Sequence, residues 1–230
     1  MNATTLIIAR HGNTFSAGEA VRRVGITNLP LVQSGIEQGE KLAQYLLERG
    51  IKPIAIFTSQ LQRTKQMADI FCAVMKAASM KQLAGDLVGA SVGKDIPINA
   101  PKITAPSITS LNMFNEINYG IDENQPETQV IARLGGALKL WDEKAIPPPE
   151  WNVNIEEIIH NWRDFANATI AQRHNETTLI FTSNGIARFA PSLVGAISQF
   201  NHNLKLSTGA FAILSHDDES WSIKDWNITP

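Results

Sequence analysis

The sequence has one cysteine, Cys72, and no long hydrophobic run. A single thiol cannot form an internal disulfide, and the apolar helical pattern around it, residues 70–74, indicates core packing. No window of about 18 residues is continuously apolar, and the run at 6–9 is too short for a signal-peptide core or a membrane span. We therefore expect a cytoplasmic protein with no membrane partner.

An excess of charge of either sign is also absent. The chain has 20 lysine and arginine residues against 22 aspartate and glutamate residues, a net charge of −2. No general attraction to nucleic acid is expected, so any anion site must be a local cluster of arginines. No group of histidine, cysteine and carboxylate residues has the spacing of metal ligands, so we expect neither a metal nor another cofactor.

The chain contains an alternation of short apolar strands and amphipathic helices, which predicts a three-layer α/β/α fold with a mostly parallel sheet. Strands are predicted at 4–9, 54–57 and 178–182, with a closing antiparallel pair at 208–214 and 221–226. Helices are predicted from Ser34 to just before Gly50, from Leu61 to about Ala78, and at 126–142, 155–172 and 185–194.

Glycine and proline are concentrated between residues 79 and 110. They are expected to interrupt any long element there, so we predict a loop-rich insertion at about 79–110, with at most a short helix or strand. With no internal repeat elsewhere, the pattern predicts one domain over residues 1–230.

Arg10, His11 and Gly12 directly follow the first predicted strand. Ligands of open α/β sheets bind beyond the carboxyl ends of the strands. Arginine matches the oxygens of a phosphoryl group, a neutral imidazole supplies an attacking nitrogen, and glycine allows close approach of the backbone. On this triplet alone, a surface turn with a solvated histidine is an equally good explanation.

Arg63 lies in the first turn of the helix after the second strand. An arginine is unfavourable at a helix N-terminus, where the dipole attracts anions, so an anionic partner would explain it. Taken alone, an exposed helix arginine is the more common explanation.

Several further short motifs occur in order along the chain, and together they resemble the histidine phosphatase superfamily, the phosphoglycerate-mutase-like group. Ordered agreement of weak motifs over residues 5 to about 190 is more specific than any one of them. The matching segments are Arg10-His11-Gly12-Asn13-Thr14, Arg22-Arg23-Val24-Gly25, Pro30-Leu31, Ser34-Gly35, Ser59-x-Leu61-x-Arg63, Asn115-Glu116-Ile117-Asn118-Tyr119-Gly120 and Ser183-Asn184-Gly185.

This resemblance implies a phosphoglycerate-mutase-like fold and a set of catalytic roles. His11 would attack phosphorus and form a phosphohistidine, while Arg10 and Arg63 hold the phosphoryl oxygens. Glu116 stands where the family has its general acid; from the sequence alone, a solvated loop glutamate is the more common reading. Substrate contacts are further implied at Asn13, Thr14, Arg22 and Tyr119.

Three features depart from the family pattern. Asn184 replaces the second histidine, a phosphate ligand, and losing such a charge-assisted contact costs about 2–4 kcal/mol, or about 30- to 1,000-fold in rate. Asn184 can still donate one hydrogen bond to phosphate. Ala17 stands where many members have asparagine. Asp142 and Glu143 lie near positions where mutases have paired arginines for the substrate carboxylate.

These residues lead to a main hypothesis and two alternatives. The first is metal-independent hydrolysis of a small phosphorylated substrate through phospho-His11, weakened by Asn184. The second is a catalytically impaired relative that binds phosphate or a phosphorylated ligand without efficient turnover. A phosphoglycerate-type mutase is the least favoured, because of Asp142 and Glu143. The sequence fixes neither the substrate nor the oligomeric state.

Overall fold

A six-stranded sheet is the centre of the computed structural model, which describes residues 3–89, 106–200, 203–217 and 219–230. Its strand order is β3-β2-β4-β1-β5-β6; the first four strands are parallel, β5 is antiparallel to β1, and β6 is antiparallel to β5. The strands are β1 (Thr4–Arg10), β2 (Ala55–Thr58), β3 (Ser107–Ser110), β4 (Thr177–Thr182), β5 (Phe211–His216) and β6 (Trp221–Ile228).

Helices cover both faces of this sheet. None of the helices within the described residues is long and apolar enough to cross a membrane. The α-helices are α1 (Gln33–Glu48), α2 (Gln62–Gly89), α3 (Glu127–Leu134), α4 (Gly136–Lys144), α5 (Ile155–Gln172) and α6 (Asn184–Ala187). Short 3-10 helices lie at Asn112–Phe114, Gly120–Asp122, Ala190–Leu193 and Ile197–Gln199.

The uninterrupted apolar sequence of β1 follows from its burial on both faces. Alternate side chains point to opposite sides: Ile7 packs in the core with Leu42 and other residues of α1 and α2. Ile8 packs on the other side with Trp162 and further residues of α4, α5 and α6. The predicted three-layer α/β/α fold and its mostly parallel sheet are confirmed, as is the antiparallel closing pair β5–β6.

Two of the predicted helices differ from the helices in the structure: the one that corresponds to α3 and α4, and the one that corresponds to α6. The helix predicted at 126–142 is divided into α3 and α4 at Gly135, whose φ of 47° ends the first helix. The helix predicted at 185–194 is only four residues long, and a 3-10 helix with Pro191 in its first turn follows it. Proline has no N–H to donate and disfavours helical geometry in the residue before it.

The predicted loop-rich insertion at 79–110 is wrong at its beginning, and the short strand that the prediction allowed lies at its end. Helix α2 continues to Gly89 rather than ending near Ala78, and residues 107–110 form strand β3, parallel to β2. One glycine costs a helix only about 1 kcal/mol, which good helix formers around it can offset. Residues 90–105 lie outside the described residues, and the division into a single domain stays a prediction.

Candidate active site

The carboxyl ends of β1 and β4 open into a cavity of about 530 Å³. It is the place where the parallel strands of an α/β sheet present their ligand-binding loops. All of the residues predicted for the site line this cavity except Arg63, which is buried and is not part of the lining. The predicted residues in the lining are Arg10, His11, Asn13, Thr14, Arg22, Glu116, Tyr119 and Asn184.

His11 is held in one tautomer by the backbone. Its Nδ1 lies 2.8 Å from the carbonyl oxygen of Gly12, and because a carbonyl only accepts, Nδ1 carries the proton. Nε2 of the neutral ring therefore has a free lone pair. Burial lowers the pKa of His11 well below its ordinary value of 6.5, and the charges of Arg63 and Arg10 lower it further. The imidazole is thus a neutral nitrogen nucleophile at neutral pH.

Gly12 allows the loop that carries His11 to pack directly on the start of α1. A Cβ at Gly12 would lie 2.8 Å from the Cα of Gly35, closer than side chains approach a backbone. The next residue is tied to the same helix, since the backbone N–H of Asn13 donates to Oε1 of Gln38 at 2.8 Å. Its amide Nδ2 donates to Ser34 at 3.2 Å. These contacts fix the loop after β1.

Two guanidinium groups lie near His11: that of Arg10, which is half-buried, and that of Arg63, which is buried. Nη1 of Arg10 donates to the carbonyl of Leu206 at 2.7 Å, and Arg63 donates to the carbonyls of Gly25 and Thr27 at 2.7 and 2.8 Å. Their Nε atoms are buried and have no hydrogen-bond partner among the described residues. Burial lowers the pKa of both groups, an effect that the carboxylate of Glu116 opposes. Two cations whose buried Nε atoms are unpaired favour an anionic ligand.

Glu116 is fixed by two backbone donors in a loop between short 3-10 helices. Its Oε1 accepts from the N–H of Ile117 at 2.9 Å, and its Oε2 accepts from the N–H of Gly185 at 3.1 Å. A side chain at Gly185 would collide with this carboxylate, so the glycine is required by the contact. Glu116 is 6% exposed, and it lines the same cavity as His11.

The orientation of the Asn184 amide is set by a loop before β5. Its Oδ1 accepts from the backbone N–H of Leu206 at 2.8 Å, which leaves Nδ2 as the donor available to the cavity. The carbonyl of the same Leu206 accepts from Arg10. One residue of the loop therefore orients two of the predicted phosphate ligands, which sequence spacing does not reveal.

Two further predicted residues, Tyr119 and Arg22, lie on the wall of the cavity. Burial raises the pKa of the Tyr119 phenol, so its hydroxyl remains a hydrogen-bond donor. The guanidinium of Arg22 lies 5.9 Å from the ring centre of Phe15. Its neighbour Arg23, not predicted for the site, forms an ion pair with Glu127 and lies 5.3 Å from the centre of the Tyr119 ring.

Further lining residues were missed as site residues, among them the charged residues Asp142, Arg188 and Lys205. Arg188 follows Asn184 by four residues, which places both on one side of a helical turn; this spacing was the available signal. Lys205 lies in a loop whose sequence contains no pattern that would indicate a site residue. Asp142 was noted only as a departure from the mutase pattern.

Comparisons with known proteins agree with this geometry. A model of the histidine phosphatase superfamily (branch 1) matches residues 6–85 and 100–229. No curated protein matches the chain with significant similarity. The chain superimposes on the YhfR protein of Bacillus stearothermophilus with a TM-score of 0.70 and 17% identity, covering 99% of this chain and 98% of the other.

Two solved structures named as phosphatases are also similar in fold. A mycobacterial glucosyl-3-phosphoglycerate phosphatase aligns with a TM-score of 0.67 and 17% identity, over 97% of this chain and 98% of the relative. An α-ribazole phosphatase from Shigella flexneri aligns with a TM-score of 0.63 and 16% identity, over 98% of this chain and 96% of the relative. At these identities the likeness concerns the fold.

Proposed function

The chain belongs to the histidine phosphatase superfamily, and from this premise we propose that it hydrolyses small phosphomonoesters through a phosphohistidine on His11. The observation that carries the proposal is the state of His11 itself. Its Nδ1 is occupied by the Gly12 carbonyl, its Nε2 is free, and Arg10 and Arg63 lie beside it. A neutral nucleophile between buried cations is what attack on a phosphate dianion requires.

In the first step of the proposed reaction, Nε2 of His11 attacks phosphorus in line as the ester P–O bond breaks. Arg10 and Nδ2 of Asn184 hold the non-bridging oxygens, and the buried charge of Arg63 near His11 adds to the stabilisation that these oxygens need throughout the transfer. Glu116 gives a proton to the departing alcohol oxygen. The products of this step are phospho-His11 and the free alcohol.

In the second step, water attacks the phosphorus of phospho-His11. The Glu116 carboxylate accepts a proton from that water, and the P–N bond breaks, which returns His11 and releases orthophosphate. The same carboxylate thus serves as acid and then as base. Its two hydrogen bonds to Ile117 and Gly185 support this role, because they hold it in one place on the cavity wall.

The substrate class is proposed from the size of the cavity and from the relatives. A cavity of about 530 Å³ is in the usual range for a small-molecule ligand. The mycobacterial and Shigella relatives have names that refer to phosphatases of small phosphorylated compounds. We therefore propose a small phosphorylated substrate. The proposal includes neither a nucleic acid nor a membrane partner, and it specifies no oligomeric state.

Metal independence is part of the same proposal. Among the described residues, no three histidine, cysteine, aspartate or glutamate side chains are grouped as metal ligands would be. The charge of the phosphoryl group would instead be balanced by Arg10 and Arg63. Turnover unchanged by a strong chelator would support this, and turnover restored only by an added metal ion would contradict it.

A panel of phosphomonoesters tests the proposed function directly. Release of orthophosphate, together with an acid-labile phosphoprotein trapped during turnover, would support it. Binding of inorganic phosphate without turnover and without phosphohistidine would favour the impaired binding protein. Activity that depends on a bisphosphorylated cofactor would favour a mutase.

The imidazole of His11 is expected to remain uncharged at pH 6.5 in the free protein. Because its pKa is lowered by burial and by two arginines, protonation begins only when the pH falls through that lowered value. Nitrogen NMR of histidine-labelled protein, with the His11→Asn variant to assign the signal, should show the Nδ1–H tautomer at pH 6.5. A doubly protonated His11 ring at that pH would refute this account of the nucleophile.

Asn184→His is expected to raise kcat for a phosphomonoester by about tenfold. Nδ1 of the new imidazole can accept from Leu206, as Oδ1 of Asn184 does, while its Nε2–H extends farther into the cavity. Asn184→Ala, which loses both the acceptor and the donor, should instead lower kcat. If Asn184→His leaves kcat unchanged or lowers it while phosphate still binds, the asparagine at position 184 does not limit the rate of this site.

A further inference from the structure

Arg188, Asp142 and Lys205 form a charge cluster on the cavity wall beside Asn184. Arg188 is 1% exposed; its Nε donates to the carbonyl of Asn184 at 3.3 Å, and its Nη1 donates to the carbonyl of Trp141. Its guanidinium carbon lies 3.9 Å from the centre of the Trp141 ring. Nη2 of Arg188 and Nζ of Lys205 lie 3.4 and 3.5 Å from the two carboxylate oxygens of Asp142.

The cluster has more positive than negative charge. Asp142 is shared between two cations, and its side chain is about one-third exposed, so solvent weakens its pairing with Arg188. Arg188 itself is shielded from solvent and lies against the wall of the cavity. The field of Arg188 is therefore only partly cancelled by Asp142, and it acts in a region of low dielectric constant.

The positive charge of Arg188 supplies what the side chain of Asn184 lacks. Asn184 is neutral, and its amide oxygen is engaged by the N–H of Leu206. Even a histidine at 184 that accepted this N–H through one ring nitrogen would be uncharged. Positive charge on this side of the cavity must come from another residue.

We propose that Arg188 is a positioning residue that strengthens phosphate binding at Asn184. It holds the peptide of Asn184 by its Nε–H and places a buried positive charge one helical turn behind the amide donor. Asp142 moderates that charge, so the Arg188–Asp142 pair sets the affinity of this side of the site for an anion. This inference rests on the proposed function, in that it places the phosphoryl group in the same cavity.

Binding of inorganic orthophosphate, measured by calorimetry, tests the inference without need of turnover. Arg188→Met should raise the dissociation constant by about tenfold, and Arg188→Lys should recover part of the loss, because it keeps the charge but not the Nε–H contact. Asp142→Asn should lower the dissociation constant by about threefold, because it removes the charge that opposes Arg188. A purely structural role for the ion pair would not produce changes of opposite sign.

Glu143→Gln is the matched control for Asp142→Asn. Glu143 is the next residue of α4, pairs with Lys139 on the surface and is not part of the cavity lining, so phosphate binding should be unchanged. The double variant Asp142→Asn with Arg188→Met separates the roles of the cations. The gain from Asp142→Asn should largely disappear without Arg188; a gain that persists in full would assign the effect to Lys205 and overturn the inference.

Two further outcomes would also overturn the inference: unchanged or weaker phosphate binding in Asp142→Asn, or unchanged binding in a folded Arg188→Met protein. Should Arg188→Met fail to fold, Asp142→Asn in a Lys205→Met protein takes its place, since both of these side chains are partly exposed and can be replaced without opening the core. The gain from Asp142→Asn should persist without Lys205, and its disappearance would assign the effect to Lys205 and overturn the inference. Failure of the proposed function would be seen separately, as phosphate binding by the wild-type protein with no turnover.

Discussion

Replacing His11 with alanine is expected to abolish turnover, by about 10⁴-fold or more, since His11 is the one histidine among the described residues that line the cavity. The lone pair on Nε2 is the one that the Gly12 contact leaves free, and the cations around it remain in the variant. Trapping with radiolabelled substrate should show a phosphoprotein in the wild type and none in His11→Ala.

His160→Ala is a suitable control for this loss. His160 lies on the surface of α5, where it pairs with Asp164, and its side chain is 71% exposed. Its replacement should leave both turnover and trapping unchanged. His11→Ala should still bind orthophosphate through Arg10 and Asn184, because the positive charges of the site remain. A folded His11→Ala protein that hydrolyses the substrate and still becomes phosphorylated would eliminate His11 as the nucleophile.

Glu116→Gln is expected to reduce hydrolysis of an alkyl phosphate by about 10²- to 10⁴-fold, the usual contribution of a general acid. The loss for p-nitrophenyl phosphate should be much smaller, because p-nitrophenolate departs readily without a proton. Measuring kcat/KM for both esters therefore isolates the proton transfer from any general disturbance of the site.

A general disturbance of the site is a real alternative explanation for a loss in Glu116→Gln. Both oxygens of Glu116 accept hydrogen bonds from backbone N–H groups. The amide NH₂ of a glutamine would therefore face one of these N–H donors and lose that hydrogen bond. Such a disturbance would lower kcat/KM equally for the two esters. Glu127→Gln makes the same chemical change on the same cavity wall, and it should show no dependence on the leaving group. Equal losses for both esters in Glu116→Gln would remove the glutamate from the role of acid.

Local sequence patterns were sufficient where the physical cause is itself local. The apolar run of β1 predicted a strand, because both faces of that strand are buried. The helical spacing of apolar residues in α1 and α5 predicted helices, because one face of each helix is buried. The ends of elements were less well determined. Helix α2 extends through Gly85 to Gly89, and Gly135 divides a helix, because a glycine can be tolerated within a helix or end one, depending on the tertiary packing around it.

The sequence by itself determined the fold class, the histidine after β1, the arginine after β2 and the absence of a second histidine at position 184. These features depend on residue type and on order along the chain. The tertiary structure alone decided that Leu206 orients both Arg10 and Asn184, and that Arg188 shares Asp142 with Lys205. These residues come from separate segments, and only the packing of helices and loops around the ends of the strands brings their atoms within hydrogen-bonding distance.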